Sequence, residues 1–309
     1  MSFLPITHYP LPITHYPLPI THYLMQERYI ESCPVGCGAP LAATDIVLSE
    51  GVLLRCTACG QLMSQASAAR YRETMAQFDR PDFNQPAGRE LERRFAVARW
   101  RLKTIAALLR QSPPTIRLID IGCSRGQFVQ AASDMGFQAE GVEPAPNIAA
   151  TARAAGLKVH QGLLEELHFP AGSFDAAALF EVIEHLTEPR TLLRECHRIL
   201  KPGGVLVIST GNAASWTAAV MGSRWDYFDM AKDGGHISFF SPASVRRLAA
   251  SCGYAVARIE TARVKFHEKT GTAPWLYTAG KIVAELLNVP ARIAGKGHDL
   301  LAYLRTMPR

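Results

Sequence analysis

Three groups of residues have types and spacings that can do chemistry. Cys33-x-x-x-Cys37 and Cys56-x-x-Cys59 form two knuckles, with 18 residues between Cys37 and Cys56 and a glycine after the second cysteine of each. Four thiolates close a tetrahedral zinc site, and each glycine permits the tight turn that aims backbone N–H groups at the sulfurs. A closed site of this kind is structural and carries no reaction. The alternative is four free thiols in a loop, and paired knuckles at this spacing favour the metal. The first knuckle is one residue longer than the common C-x-x-C. The stretch Ile116–Phe128, IRLIDIGCSRGQF, reads as a strand that reaches Asp120, turns at Gly122 and opens a helix after Gly126. Such a turn brings backbone and unpaired helix N–H groups to a nucleotide-type ligand. A dinucleotide fingerprint would need G-x-G-x-x-G, but Ser124 and Gln127 stand where its later glycines belong. Glu143 follows Gly122 by 21 residues, a separation that lets one carboxylate accept both hydroxyls of a ribose. Finally, Glu181, Glu184 and His185 are spaced i, i+3, i+4, which on a helix puts them on one face, and His236 follows a Gly-Gly pair.

The elements that must position these groups alternate. Strands are expected at Ile116–Ile121, up to Glu143, at Leu157–Gln161, at Phe174–Phe180 and at Val205–Ser209. Helices are expected from Gly126 to about Met135, over 148–155 and over 192–200. This βα alternation predicts a doubly wound parallel sheet, which binds ligands at the carboxyl ends of its strands. Asp120, Gly122, Glu143, Gly162 and Glu181 all fall at those ends. Upstream, Asp45–Arg55 reads as a hairpin around Glu50-Gly51, and Ser64–Gly88 as a polar connector. Leu91, Phe95, Ala98, Leu102, Ile105 and Leu109 share a helical face, with Arg93, Arg94, Arg101 and Lys103 on the other. That basic face reads first as solvated, and alternatively as a rim for an anionic substrate. Trp216, Trp225, Tyr227 and Phe228 suit either an acceptor pocket or the core of a cap. Arg224 suits an acceptor anion or a surface salt bridge. From Trp275, Leu276, Ile282, Val283, Leu286 and Leu287 predict a packed helix, with too few charges to favour a membrane surface.

The 309-residue chain has a formal net charge of +6, which admits anionic partners without requiring one. Seven cysteines, an odd number with four clustered, point to metal ligation in a reducing, cytoplasmic setting rather than to disulfides. No apolar run reaches the roughly 18 residues of a membrane span. Residues 4–24 repeat LPITHYP three times with the last residue changed. The DNA unit CCCATTA, repeated, encodes this cycle, so the segment reads as a translated repeat upstream of Met25. Its prolines predict an extended, disordered tail rather than a metal site at His8, His15 and His22.

Taken together, DIGCSRG, GVEP, FPAGSFDAAALFEVIEHL, LKPGGVLVIST and HISFFSPASVRRLAASCGY resemble the class I S-adenosylmethionine (SAM) methyltransferases of the EVIEHL-type group. The resemblance runs from about Ile116 to Val264. It implies an α/β, Rossmann-like sheet of seven strands, the last antiparallel at Asp299–Arg305. It also implies SAM contacts at Asp120, Gly122, Cys123, Gly126, Glu143, Gly162, Leu163 and Phe180. The chain departs from the pattern at Ser124 and Arg125, where Gly and a small residue are common. Another departure is Leu163, where many members carry an acid. The cysteine knuckles are similar to zinc modules on some methyltransferases of sugar, polyketide and cell-surface pathways. The expected organisation is the heptapeptide segment 1–24, a zinc-ribbon-like module 25–64, a connector and cap helix 65–114, and a methyltransferase domain 115–309 with a helical insertion near 270–295.

The expected reaction is methyl transfer to a small-molecule, lipid- or glycan-linked acceptor, most naturally at oxygen. The alternatives are RNA methylation with the ribbon as a grip, against which the low basic density argues, and an interaction protein with a vestigial SAM domain. Three routes to the acceptor stay open. Glu181, Glu184, His185 and His236 resemble the metal site of small-RNA 3′-terminal 2′-O-methyltransferases, and similar motifs occur in ubiquinone-pathway O-methyltransferases; Mg²⁺ or Mn²⁺ there would acidify an acceptor hydroxyl. His185 or His236 can instead be a metal-free base, with His236 on a mobile segment that closes over substrate. Or positioning alone suffices, because the sulfonium methyl is already activated.

Overall fold

The computed structural model describes residues 29–266 and 274–308. The heptapeptide segment, its histidines and Met25 lie outside the described residues, as do the side chains of Trp275 and Leu276. The chain opens with a small antiparallel sheet: β1 (Leu41–Leu48), β2 (Gly51–Cys56) and β3 (Leu62–Met63). The hairpin turns at Ser49-Glu50, where Gly51 takes a positive φ of 117°. The region expected as a polar connector is structured. It holds α1 (Ala68–Met75), started by the Ser67 side chain accepting from the Arg70 N–H, and a 3-10 turn at Ala76–Asp79. Short polar helices lack a long apolar period, so the sequence pattern gave no sign of them. The long helix α2 (Gly88–Leu109) buries Ala98, Leu102 and Ile105 against Ile116, Leu118 and Phe128. It ends at Arg110 in the left-handed region, before Pro113-Pro114.

The central sheet then alternates as expected: β4 (Arg117–Ile121), α3 (Gln127–Asp134), β5 (Gln138–Glu143), α4 (Pro146–Ala154), β6 (Val159–Gln161), β7 (Phe174–Phe180), α5 (Pro189–Ile199) and β8 (Leu200–Gly211). Next come α6 (Trp216–Met221), α7 (Met230–Asp233), β9 (Ser238–Phe239), α8 (Pro242–Ser251) and β10 (Tyr254–Ala262). Then α9 (Pro274–Ile293) and β11 (Asp299–Thr306) close the chain. The sheet order is β10-β11-β8-β7-β4-β5-β6, with β11 antiparallel to both neighbours. Phe174 to Leu179 of β7 is buried throughout, because helices cover both faces of a parallel sheet and leave no polar side. The order reverses between β4 and β7, and the cleft at that switch opens over the carboxyl ends of the strands.

The cysteine ribbon does not stand alone. β3 pairs antiparallel with β9, Leu62 against Phe239 and Met63 against Ser238, and the Ser64 N–H donates to the Ile237 carbonyl at 2.9 Å. Ile30, Val35, Leu54 and Met63 share a hydrophobic core with Ile119, Leu179 and Leu206 of the central sheet. A ribbon this small cannot bury enough apolar surface by itself, and docking supplies part of what a metal alone was expected to provide. Trp225 and Phe228 are core, packed with Leu53, Leu62 and Phe239 between ribbon and cleft. No helix among the described residues is long and apolar enough to cross a membrane.

Candidate active site

The tips of β4 and β5 form one edge of a cavity of about 1520 Å³. Gly122 has φ +73°, and a Cβ there would come within 2.7 Å of the Val182 side chain, so no other residue fits this turn without a shift. Gly126 has φ +78° and precedes α3; a Cβ would meet Leu157 at 2.4 Å. Asp120 is 3% exposed. Burial, and secondarily the charge of Glu143, push its carboxyl up to about 8, with Arg101 opposing. Glu143 accepts the Ser124 N–H at 2.8 Å and the Ala145 N–H at 2.9 Å, one on each oxygen. Burial raises its pKa, and those two N–H groups partly offset the rise. Two desolvated carboxylates side by side form an edge that favours a ligand carrying positive charge and hydroxyl donors. Asp120, Gly122, Cys123, Glu143, Gly162, Leu163 and Phe180 all line the cavity. Gly126 lies behind it, and Leu163 is half exposed at the rim. Burial also raises the Cys123 thiol, which packs close under Gly141.

The opposite wall corrects several expectations. Glu181, Glu184 and His185 do not share a helix face. Glu181 has φ +56°, and only a single 3-10 turn, Ile183–His185, fits between β7 and α5. A non-glycine residue in the left-handed region at a strand tip is a strained position of the sort found at functional sites. The Glu181 carboxylate accepts the Ser209 hydroxyl at 2.9 Å and is exposed to the cavity, whose walls desolvate it enough to raise its pKa. Glu184 is fully buried and accepts the Tyr227 hydroxyl at 3.0 Å. Its second oxygen and the His185 Nδ1 are buried without a hydrogen-bond partner.

His236 is not on a segment free to close. It is 4% exposed, stacks on Tyr227 with ring centroids 4.4 Å apart, and donates from Nδ1 to the Tyr227 carbonyl at 3.1 Å. A carbonyl only accepts, so Nδ1 carries the proton and Nε2, 3.9 Å from Glu184, presents a lone pair. Burial lowers His185 to about 3 and His236 to about 4, so both rings are neutral at pH 7. One ligand atom from each of Glu184, His185 and His236 lies within 4.8 Å of the other two; Glu181 is not one of this group, though its carboxyl neighbours that of Glu184. The thiols of Cys33, Cys37, Cys56 and Cys59 meet the same criterion, with the Cys33 and Cys59 sulfurs 3.5 Å apart. The four cysteines are thus brought together in the ribbon, outside the cavity lining.

Two parts of the cavity depart from the first reading of the sequence. Arg101, read first as solvated and alternatively as part of a rim, turns inward with Arg93 and Arg94 also in the lining: its guanidinium lies 4.4 Å over the Phe180 ring, its Nε has no partner, and burial lowers its pKa against the pull of Glu181. The second part is the connector, whose Tyr71, Phe78, Asp79 and Phe83 line the cavity. Ser124 and Arg125, two of the three departures from the family pattern, tie it down. The Asn84 amide donates to the Ser124 hydroxyl at 3.0 Å, and Arg125 donates to the Phe83 carbonyl at 2.9 Å and to the Pro81 carbonyl. Asp79 accepts the Asn147 N–H at 2.8 Å, and Tyr71 donates to the His185 carbonyl at 2.8 Å. Arg224 is exposed and takes no part in the cavity lining.

Residues 89–259, more than half of the chain, match the family model described as "Methyltransferase domain". The chain is 33% identical over 134 residues to a ubiquinone biosynthesis O-methyltransferase from Xanthomonas axonopodis pv. citri (strain 306), covering 40% of this chain and 55% of the relative. A protein of the same name from Bradyrhizobium sp. (strain ORS 278) is 33% identical over 118 residues, 36% of this chain and 46% of the relative. The chain thus spans about half the length of the curated relatives it matches. A SAM-dependent methyltransferase from Archaeoglobus fulgidus superposes with a TM-score of 0.50 at 19% identity, over 69% of this chain and 94% of that one, a likeness of fold. The family match and the seven-stranded sheet agree: the chain belongs to the methyltransferase domain family.

Proposed function

We propose that the enzyme methylates an oxygen of a small-molecule, lipid- or glycan-linked acceptor. The observation that carries this reading is one continuous cavity. It runs from the Asp120–Glu143 edge to the Glu181–His185 wall, and at about 1520 Å³ it exceeds the roughly 300–1,000 Å³ of a single-ligand pocket. The O-methyltransferase relatives support oxygen as the acceptor atom. In this reading Glu143 keeps two lone-pair sites beyond its backbone partners for the ribose hydroxyls. Asp120 faces the positive charge of the cofactor, Gly122 admits its backbone approach, and Gly162 and Leu163 flank the adenine. Arg101 receives the methionine carboxylate, the anion its desolvated guanidinium lacks.

When bound, SAM supplies an activated methyl group. The chain's own residues hold the acceptor in line and handle the proton. Glu181 is the group best placed for this: it faces the cavity, desolvation raises its pKa, and the Ser209 hydroxyl orients it. His185 and His236 are too desolvated to serve as bases and instead fix the wall. The Glu184–His185–His236 group also suits a divalent cation. Two imidazole nitrogens favour Mn²⁺ over the oxygen-preferring Mg²⁺, and the orphaned Glu184 oxygen and His185 Nδ1 are the donors it would take. Zn²⁺ on the four cysteines would hold the ribbon.

The test is calorimetric titration of the metal-quantified protein with SAM and S-adenosylhomocysteine, followed by acceptor screening of a Glu181→Gln variant. Binding that survives in Glu181→Gln while turnover loses its rise with pH supports the assignment. An unchanged pH profile removes Glu181 from the proton step.

A further inference from the structure

Helix α9 (Pro274–Ile293) presents two different faces. One packs inward, with Ala284 and Ala291 buried against Val264 and beside Trp216. The other leaves Ile282, Leu286, Val289 and Ile293 at 58%, 73%, 67% and 83% exposure. Large aliphatic side chains exposed in a row along one helix mark a contact surface rather than ordinary surface composition. Their spacing is 4, 3, 4. At about 100° per residue, the four fall within a stripe about 60° wide. The four have the spacing of the a/d seam of a helix pair, with Val283, 47% exposed, flanking it and Pro290 within its last turn. The polar flank decides the partner. Glu285 and Arg292 lie one heptad apart on the same side of the seam, with opposite charges and both exposed. An interfacial lipid helix carries a strongly basic polar face, and this one has an acid in its middle.

The geometry points to a second copy of this chain as the occupant, with the two α9 helices packed antiparallel across a two-fold axis. Leu286 then packs against Val289 of the partner subunit, and Ile282 against Ile293 of the partner subunit. Glu285 faces Arg292 of the partner subunit, and the two-fold repeats that pair. A surface that complements itself in this way is what an isologous interface requires. The contact uses no residue of the cavity and holds whichever acceptor the enzyme takes.

Sedimentation equilibrium of the full chain, across concentrations on the order of 1–100 μM, tests it. Wild type is expected to be dimeric and Leu286→Glu monomeric with an unchanged far-UV spectrum. Glu285→Arg and Arg292→Glu alone each weaken the dimer about tenfold, since each swap turns two attractive pairs repulsive. The double swap restores it. A wild type that stays monomeric, a double swap that fails to restore the dimer, or a monomer that instead co-floats with phosphatidylglycerol vesicles each overturns the proposal.

Discussion

The two walls of the cavity are built in opposite ways. The carboxylate edge comes from one run of chain, Asp120 to Glu143: a strand, a glycine turn, a helix and the next strand. Its polar groups satisfy one another locally, as when Glu143 accepts the Ser124 and Ala145 N–H groups. The Glu181–His236 wall is assembled from four distant segments. Tyr71 holds the His185 carbonyl, Tyr227 holds Glu184 and His236, and the Ile237 N–H donates to the Glu184 carbonyl at 2.9 Å. Ile237 in turn accepts the Ser64 N–H, just after the strand that closes the cysteine ribbon. The ligand-binding edge can therefore vary little, whereas the opposite wall is as firm as the ribbon behind it.

The largest effect expected from breaking this contrast follows from chelating the zinc proposed for the cysteines. A chelator should melt β1–β3 and expose the Ile237 and Phe239 amides to hydrogen exchange while β4 and β5 stay protected; equal protection on both walls would show the ribbon to be a passenger. Trp225→Ala, in the core between ribbon and cleft, should cost about 3–5 kcal/mol in denaturant unfolding. On the other wall, Glu143→Ala should weaken SAM binding about 100-fold by calorimetry, the loss of two hydrogen bonds to a charged acceptor, and should cost about 1–3 kcal/mol of folding stability because the Ser124 and Ala145 N–H groups lose their acceptor. Arg101→Met sharpens the point. It should weaken SAM about tenfold yet leave the free protein as stable or more so, because it removes a desolvated guanidinium whose Nε has no partner. A lower melting temperature in that variant would count against the assignment.

The pH dependence also differs between the walls. Asp120 has a folded pKa near 8, above its unfolded value, so its stabilising contribution is full below about 4 and is lost as pH rises toward 8. His185 and His236 have folded pKa values of about 3 and 4, below their unfolded value, so their contribution is present above about 6.5 and lost as pH falls toward 4. Thermal melts of the free protein should therefore show Asp120→Asn removing a decline on the alkaline side, and saturating SAM should flatten the same decline in wild type. The smallest effect expected is Tyr71→Phe, about 1 kcal/mol from one lost hydrogen bond to the His185 carbonyl.

The sequence by itself determined the sheet and the carboxylate edge. Apolar strands alternating with amphipathic helices admit few topologies, and Asp120, Gly122 and Glu143 sit at strand ends whose side chains have nowhere else to point. It also determined the cysteine quartet, because two short knuckles fix their own turns. Only the tertiary structure decided the rest. EVIEHL has the spacing of a helix face, but the distance between β7 and α5 allowed one 3-10 turn. Arg101 has a solvent-face position, but Phe180 and the cavity drew its side chain inward. Ser124 and Arg125 looked like departures until Asn84 and the Phe83 carbonyl arrived from the connector. His236 looked free until Tyr227 stacked on it. In each case the deciding partner lies tens of residues or more away, in a segment whose own pattern does not announce where it will pack.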